Sequence, residues 1–176
     1  MGGIKIPLST RYLRGAAIMI FVSVGTSNKG FDRLLRACDQ IALRTGLPFF
    51  AQTGSSAYIP NHLPHQAWLS RAEMQERYQS ASAFIVHGGF GTLSETLKYG
   101  KSIFVVARRL EDGEAVNNQA DLAIKLHSLG LVHYIEKLEE LESVLLLREP
   151  YKQQANKLTT NIPAIIQNYI THLLFP

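Results

Sequence analysis

A short apolar run that passes through a glycine-rich turn straight into helical spacing can fold in few ways, and residues 83–99 form such a stretch. Ala83-Phe-Ile-Val86 has no polar alternation, as in a strand buried on both faces. His87-Gly88-Gly89-Phe90-Gly91 follows, and Thr92 to Tyr99 has helical spacing closed by Gly100. The same order occurs earlier. Ile18–Val24 is a continuous β-prone run and Gly25–Gly30 is turn-rich. Phe31, Leu34, Leu35, Cys38, Ile41 and Ala42 then repeat at helical intervals as far as Gly46, a good residue to follow a helix. Leu47–Thr53 reads as a second strand and Gln66–Leu69 as a short third. Ser70, with Glu73 at the capping-box position, starts a helix carrying Met74, Tyr78 and Ala81. Ser102–Ala107 is a fifth strand, Val116–Leu129 a helix and Leu131–Ile135 a short extended piece. Lys137–Leu147 and Tyr151–Leu174 read as helical. Strands alternating with helices on short loops imply an α/β fold, a parallel sheet with helices on both faces. Ligands of such sheets bind outside the carboxyl ends of the strands, so the loops at 25–30, 54–58, 87–91 and 108–118 share one functional edge.

The 176 residues suit one domain, read as a body from 18 to 176 behind an extension at 1–17 without clear periodicity. The net charge of +4 comes mostly from that extension, where Lys5, Arg11 and Arg14 meet no acid; beyond it 15 basic residues face 14 acidic ones. No basic tract of the kind nucleic acid requires is present, so nucleic acid is not expected as a partner. Cys38 is the only cysteine, which excludes an internal disulfide and fits a reducing cytoplasm. No segment reaches ~20 apolar residues, so no spanning helix is expected.

The chemistry concentrates in His87-Gly88-Gly89-Phe90-Gly91-Thr92-Leu93-Ser94-Glu95. Glycines let a ligand approach the backbone closely, and a helix start offers free N–H groups and the positive end of a dipole, a ready diphosphate site. The pattern is neither a Walker loop nor the dinucleotide fingerprint, which disfavours ATP and NAD. Glu95 has two readings: a ligand contact, or the second half of a Thr92-x-x-Glu95 capping box. His87 is likewise either a ligand contact or a satisfied histidine at a strand end. No Asp-x-Asp pair or cluster with metal-ligand spacing is present, so no essential metal or other cofactor is expected.

The order and spacing of several pieces carry a resemblance. They are Ile20-Phe-Val-Ser-Val-Gly-Thr26 with Phe31-Asp-Arg-Leu34, the segment 87–95, Gly100-Lys101, and Gly113-Glu114 with Asn118-Gln119. Together they resemble the C-terminal, nucleotide-sugar-binding half of GT-B glycosyltransferases of the family 28 type. The chain looks closer still to single-domain members. These are the small subunits of split bacterial exopolysaccharide glycosyltransferases and the related subunit of the eukaryotic dolichol-pathway N-acetylglucosaminyltransferase.

The resemblance implies a Rossmann-like half of a GT-B fold and a UDP-sugar-dependent hexosyltransferase active with a partner subunit. Its candidate catalytic residues are His87, against a phosphate, and Glu95, accepting hydrogen bonds from the ribose. The donor would be bound by Gly25, Thr26, His87, Gly88, Gly89, Gly91, Thr92, Glu95, Asn118 and Gln119. Relatives often carry Asn-His-Gln or Asp-His-Gln where this chain has Asn117-Asn118-Gln119. A membrane-associated partner would supply the acceptor site and the general base, and would recruit a cytoplasmic chain to the inner face of the membrane. The alternative is a non-catalytic nucleotide-sugar-binding or regulatory module of the same fold. Arg108 and Arg109 are open between contacting an acidic sugar or a partner and forming a solvated charge pair. The apolar helix at 151–174 is open between packing on its own sheet and docking on that partner.

Overall fold

The computed structural model describes residues 19–115 and 119–147. The extension at 1–17, Val116 to Asn118 and the helix expected at 151–174 lie outside the described residues. The chain forms β1 (Ile20–Ser23), α1 (Asp32–Thr45), β2 (Phe49–Gln52), β3 (His65–Gln66), α2 (Arg71–Ser80), β4 (Ala83–His87), α3 (Phe90–Leu97), β5 (Ser102–Val106), α4 (Ala120–Ser128), β6 (His133–Tyr134) and α5 (Leu141–Leu147), the last preceded by a 3-10 turn at Leu138–Glu140. The six strands make one parallel sheet in the order β3-β2-β1-β4-β5-β6, with Ile20 opposite Phe49 on one side and Ala83 on the other. This is the doubly wound, Rossmann-like order, and it reverses direction between β1 and β4.

Alternation along β1 divides the core. Ile20, Val22 and Val24 pack with Phe31, Leu34, Leu35, Cys38 and Ile41 of the α1 side, joined by Leu141 and Leu145 of α5. Phe21 points to the other face, with Tyr78 of α2, Leu93 and Leu97 of α3, and Ala123 and Leu126 of α4. Helices therefore cover both faces, as the unbroken apolar strands require.

Local signals mostly act where they stand. Gly46 ends α1 at φ 65° and its N–H donates to Ala42 O. Ser70 and Glu73 form both halves of a capping box: the Glu73 N–H donates to Ser70 Oγ, and the Ser70 N–H donates to Glu73 Oε2 at 2.7 Å. Lys101 caps the other end of α2, its Nζ donating to Tyr78 O (2.8 Å) and Gln79 O (2.6 Å). Four expectations shift. The third strand is His65–Gln66, because it pairs with Ala51–Gln52 and its register is set by β2. The last strand is reduced to His133–Tyr134 by its limited pairing with Phe104–Val105. The helix expected at 137–147 opens as a 3-10 turn, and the helix expected from Val116 is described from Ala120 onward.

The link from β2 to β3 carries no helix. Residues 53–64 run along α1 as an irregular strap, with Leu63 in the core and Tyr58 packed against it. Buried Asp39 of α1 holds this strap, accepting from the Tyr58 hydroxyl at 2.7 Å, Asn61 N at 3.1 Å and His62 N at 2.7 Å. Desolvation alone would raise the Asp39 pKa, but these hydrogen bonds outweigh it and hold the carboxyl below its ordinary value. Phe31 N to Ser56 Oγ (2.9 Å) and Ala57 N to Asp32 Oδ1 (2.9 Å) fasten the upper end.

Candidate functional site

The reversal between β1 and β4 brings the first and fourth turns together at the carboxyl edge. His87, the last residue of β4, is 8% exposed. Its imidazole fills the slot between two glycines. A β-carbon at Gly25 would lie 2.3 Å from His87 Cε1, and one at Gly89 would lie 2.2 Å from His87 Nε2. Gly25 also sits at φ 77°, which favours glycine, whereas Gly89 has the ordinary φ of −72°, so only the imidazole excludes a side chain there. At Gly88 the wall is backbone: a β-carbon would come 2.6 Å from Gln119 O. Gln119 thus lies over the glycine turn. Asn118 lies outside the described residues.

Burial first, and the nearby charge of Arg108 second, lower the His87 pKa from 6.5 to about 4. The ring is therefore neutral near pH 7. Among the described residues its buried Nδ1 makes no hydrogen bond of good geometry, and the Ser23 backbone lies close enough to favour the protonated ring, against the two larger effects. A folded pKa below the unfolded one adds stability that is complete above pH 6.5 and is lost as pH falls towards about 4, because the unfolded chain takes the proton first. Wild type should lose stability across that window relative to His87→Gln. Parallel denaturant midpoints for the two proteins would contradict it.

Helix α3 begins two residues before the expected Thr92. Gly89 is its N-cap in extended conformation, and the first turn closes with Leu93 N donating to Gly89 O at 3.0 Å. Glycine at the cap position lets the helix start immediately after β4. This removes the capping-box reading: Thr92 is already helical and Glu95 cannot cap it. The Glu95 carboxylate instead meets Lys98 Nζ at 2.6 Å, with the side chain 40% exposed. The N–H groups of Phe90, Gly91 and Thr92 precede the first helical bond and form the open, positive end of α3. Gly91 is exposed, and a β-carbon there would meet nothing within 4 Å. Thr26 is exposed beyond β1.

Arg108 corrects both earlier readings. It is 3% exposed, and both terminal guanidinium nitrogens donate to backbone carbonyls, while Nε has no partner among the described residues. Nη2 donates to Val24 O (2.8 Å); Nη1 donates to Lys29 O (3.0 Å), Gly30 O (2.8 Å) and Glu114 O (2.9 Å). Arg109 is exposed and lies 3.8 Å from Asp112. Arg33 and Glu114, from two separate motifs, meet in a bidentate pair at 3.2 and 2.9 Å, and Arg109 N donates to Glu114 Oε2. Gln52, at the end of β2, was missed from the sequence. Its Oε1 accepts from Ser23 Oγ (3.0 Å) and Gly25 N (3.2 Å), and its Nε2 donates to Gly25 O and Ala67 O (3.1 Å each). A polar residue inside an otherwise apolar strand was the available signal.

Comparison with known proteins agrees with this architecture. Residues 19–169 match the family model described as the glycosyltransferase family 28 C-terminal domain. No curated protein matches the sequence. Among solved structures, the chain is similar to CalG4, the calicheamicin glycosyltransferase, at 17% identity and a TM-score of 0.63, covering 92% of this chain and 43% of that one. It is similar to MurG of Acinetobacter baumannii at 18% identity and 0.53, covering 78% and 42%. It is also similar to Os79 from O. sativa, solved in complex with UDP, at 14% identity and 0.58, covering 76% and 32%. The chain thus spans less than half the length of each. A glycine turn at the switch point of a parallel sheet, a matching family model over most of the sequence and GT-B domains of the same fold lead to one assignment: the chain belongs to the glycosyltransferase family 28 C-terminal domain family.

Proposed function

We propose that the chain is the donor-binding subunit of a two-component, UDP-sugar-dependent glycosyltransferase that builds an exopolysaccharide or a lipid-linked glycan. The observation that carries this reading is the buried, neutral His87 held between Gly25 and Gly89 beside the open N–H end of α3. The diphosphate lies over Gly88, Gly89 and Gly91. It accepts hydrogen bonds from the α3 N–H groups and from His87, whose neutral ring donates without an added charge. Glu95 receives the ribose hydroxyls, Thr26 lines the cleft, and the hydroxyls of the donor sugar are assigned to Asn118 and Gln119.

In the transfer, the acceptor hydroxyl oxygen bonds to the anomeric carbon as the bond from that carbon to the phosphate oxygen breaks. The electron pair leaves with UDP, where fixed N–H donors stabilise it and no metal is required. The acceptor proton passes to a base on a membrane-associated partner, which holds the chain at the cytoplasmic face. Among the described residues no helix is long and apolar enough to cross a membrane.

Calorimetric titration of UDP, with ADP as control, tests the site. Wild type should bind UDP selectively, and Glu95→Ala should weaken binding by roughly 1–3 kcal/mol, the cost of leaving ligand hydroxyls unpaired. Absence of UDP binding by the chain, alone and with its co-expressed partner, would sink the reading.

A further inference from the structure

Fixing the peptide between Val24 and Gly25 fixes the wall against which His87 lies. Arg108 Nη2 holds its carbonyl, Val24 O, at 2.8 Å, and Gln52 Oε1 holds its N–H, Gly25 N, at 3.2 Å. Gln52 Nε2 also takes the next carbonyl, Gly25 O, at 3.1 Å. The turn thus has no freedom at either end of that peptide, and Gly25 stays at φ 77°. Only with Gly25 there does the imidazole fit, since a β-carbon at that position would come 2.3 Å from it. Arg108 reaches further, to Lys29 O and Gly30 O at the far end of the same turn and to Glu114 O of the loop after β5. Glu114 is itself locked by Arg33. Neither Gln52 nor Arg108 needs to touch a ligand to matter: both are buried, at 4% and 3% exposure, beneath the turn.

We infer that Gln52 and Arg108 are positioning residues that clamp the Gly25 turn onto His87 and thereby set the geometry of the nucleotide diphosphate site. This deepens the proposed function and rests on it for the ligand. Desolvation and the Arg108 charge keep the ring neutral, so the clamp also governs its protonation. Among the described residues Arg108 is the charged group acting on His87, and the Ser23 backbone acts on the ring in the opposite sense.

The test measures two quantities on Gln52→Met, Arg108→Gln and a control, Asp39→Asn, which weakens the strap along α1 and leaves the clamp intact. The first is the His87 Cε1–Hε1 resonance through a pH titration, assigned by its loss in His87→Gln. The second is the UDP dissociation constant. Both clamp variants should raise the His87 pKa and weaken UDP about ten-fold, equivalent to about 1.4 kcal/mol. Asp39→Asn should lower thermal stability with His87 titration and UDP affinity unchanged. If the clamp variants leave the His87 titration at the wild-type value, or if Asp39→Asn shifts it equally, the inference is overturned. Should Arg108→Gln fail to fold, Arg108→Lys is read in its place, since lysine keeps the charge but cannot span the same carbonyls. Absence of UDP binding in wild type would count against the proposed function, while the His87 titration would still decide on the clamp.

Discussion

Gly25→Ala should cost roughly 2–5 kcal/mol and abolish UDP binding. A β-carbon at left-handed φ costs about 1–2 kcal/mol. Forcing an extra carbon into filled space costs about 1–3 kcal/mol, and here the space is filled by the His87 ring at 2.3 and 2.7 Å. Gly46 separates the two contributions. It has φ 65° but nothing within 4 Å of where its β-carbon would lie, so Gly46→Ala should show the conformational cost alone. The excess of Gly25→Ala over Gly46→Ala in denaturant unfolding measures the wall. Removing the ring in a Gly25→Ala, His87→Ala double variant should recover most of that excess. Equal costs at the two glycines would mean that the imidazole does not occupy the slot.

Asp39→Ala should cost about 3 kcal/mol or more, because it leaves three donors to a buried carboxylate unpaired. That is a large part of the roughly 5–15 kcal/mol that holds a typical domain together. The damage should be local, with protease cutting appearing first within residues 57–62. The pH dependence has a definite sign. The folded pKa of Asp39 lies below its ordinary 3.8, so its contribution is intact above that value and is lost as pH falls through the folded pKa. This window lies on the acid side of the His87 window, so the two can be resolved in one acid titration. Asp39→Asn should remove the lower one only. A wild-type loss below pH 3.8 that persists in Asp39→Asn would assign it to other carboxylates.

Much of the frame was legible in the sequence because its signals are local. The apolar runs at β1 and β4, Gly46 after α1 and the Ser70–Glu73 box each act within a few residues of where they stand. The adjacent glycines before α3 marked the tight turn between β4 and α3, but they hid where the helix begins. A glycine cap with no side-chain bond leaves no sequence mark, so Thr92 looked like the start. Arg108 and Asp39 were illegible for a different reason. A charge after a strand, or within a helix, reads as solvated unless its partners are known, and these partners lie up to 84 residues away for Arg108 and up to 23 for Asp39. Gln52 likewise finds its acceptor on a turn 27 residues earlier. Local pattern fixes which segments are strands and helices, whereas the pairing of buried polar groups follows from topology.

The central place of β1 has a consequence for how the chain is made. Among the described strands β1 is made first, yet it lies inside the sheet. Its partner on one side comes 29 residues later, and the closure on its other side, Met19 with Ser82, spans 63. Such long-range parallel pairing slows folding, because the entropy of closing the loop is lost before the strands can compensate. Until β4 has been made, one flank of the apolar β1 has no neighbour, and an open flank of that kind invites pairing with other chains. Because the two turns that frame His87 lie on those same two strands, the ligand cleft comes into existence only when that interval ends.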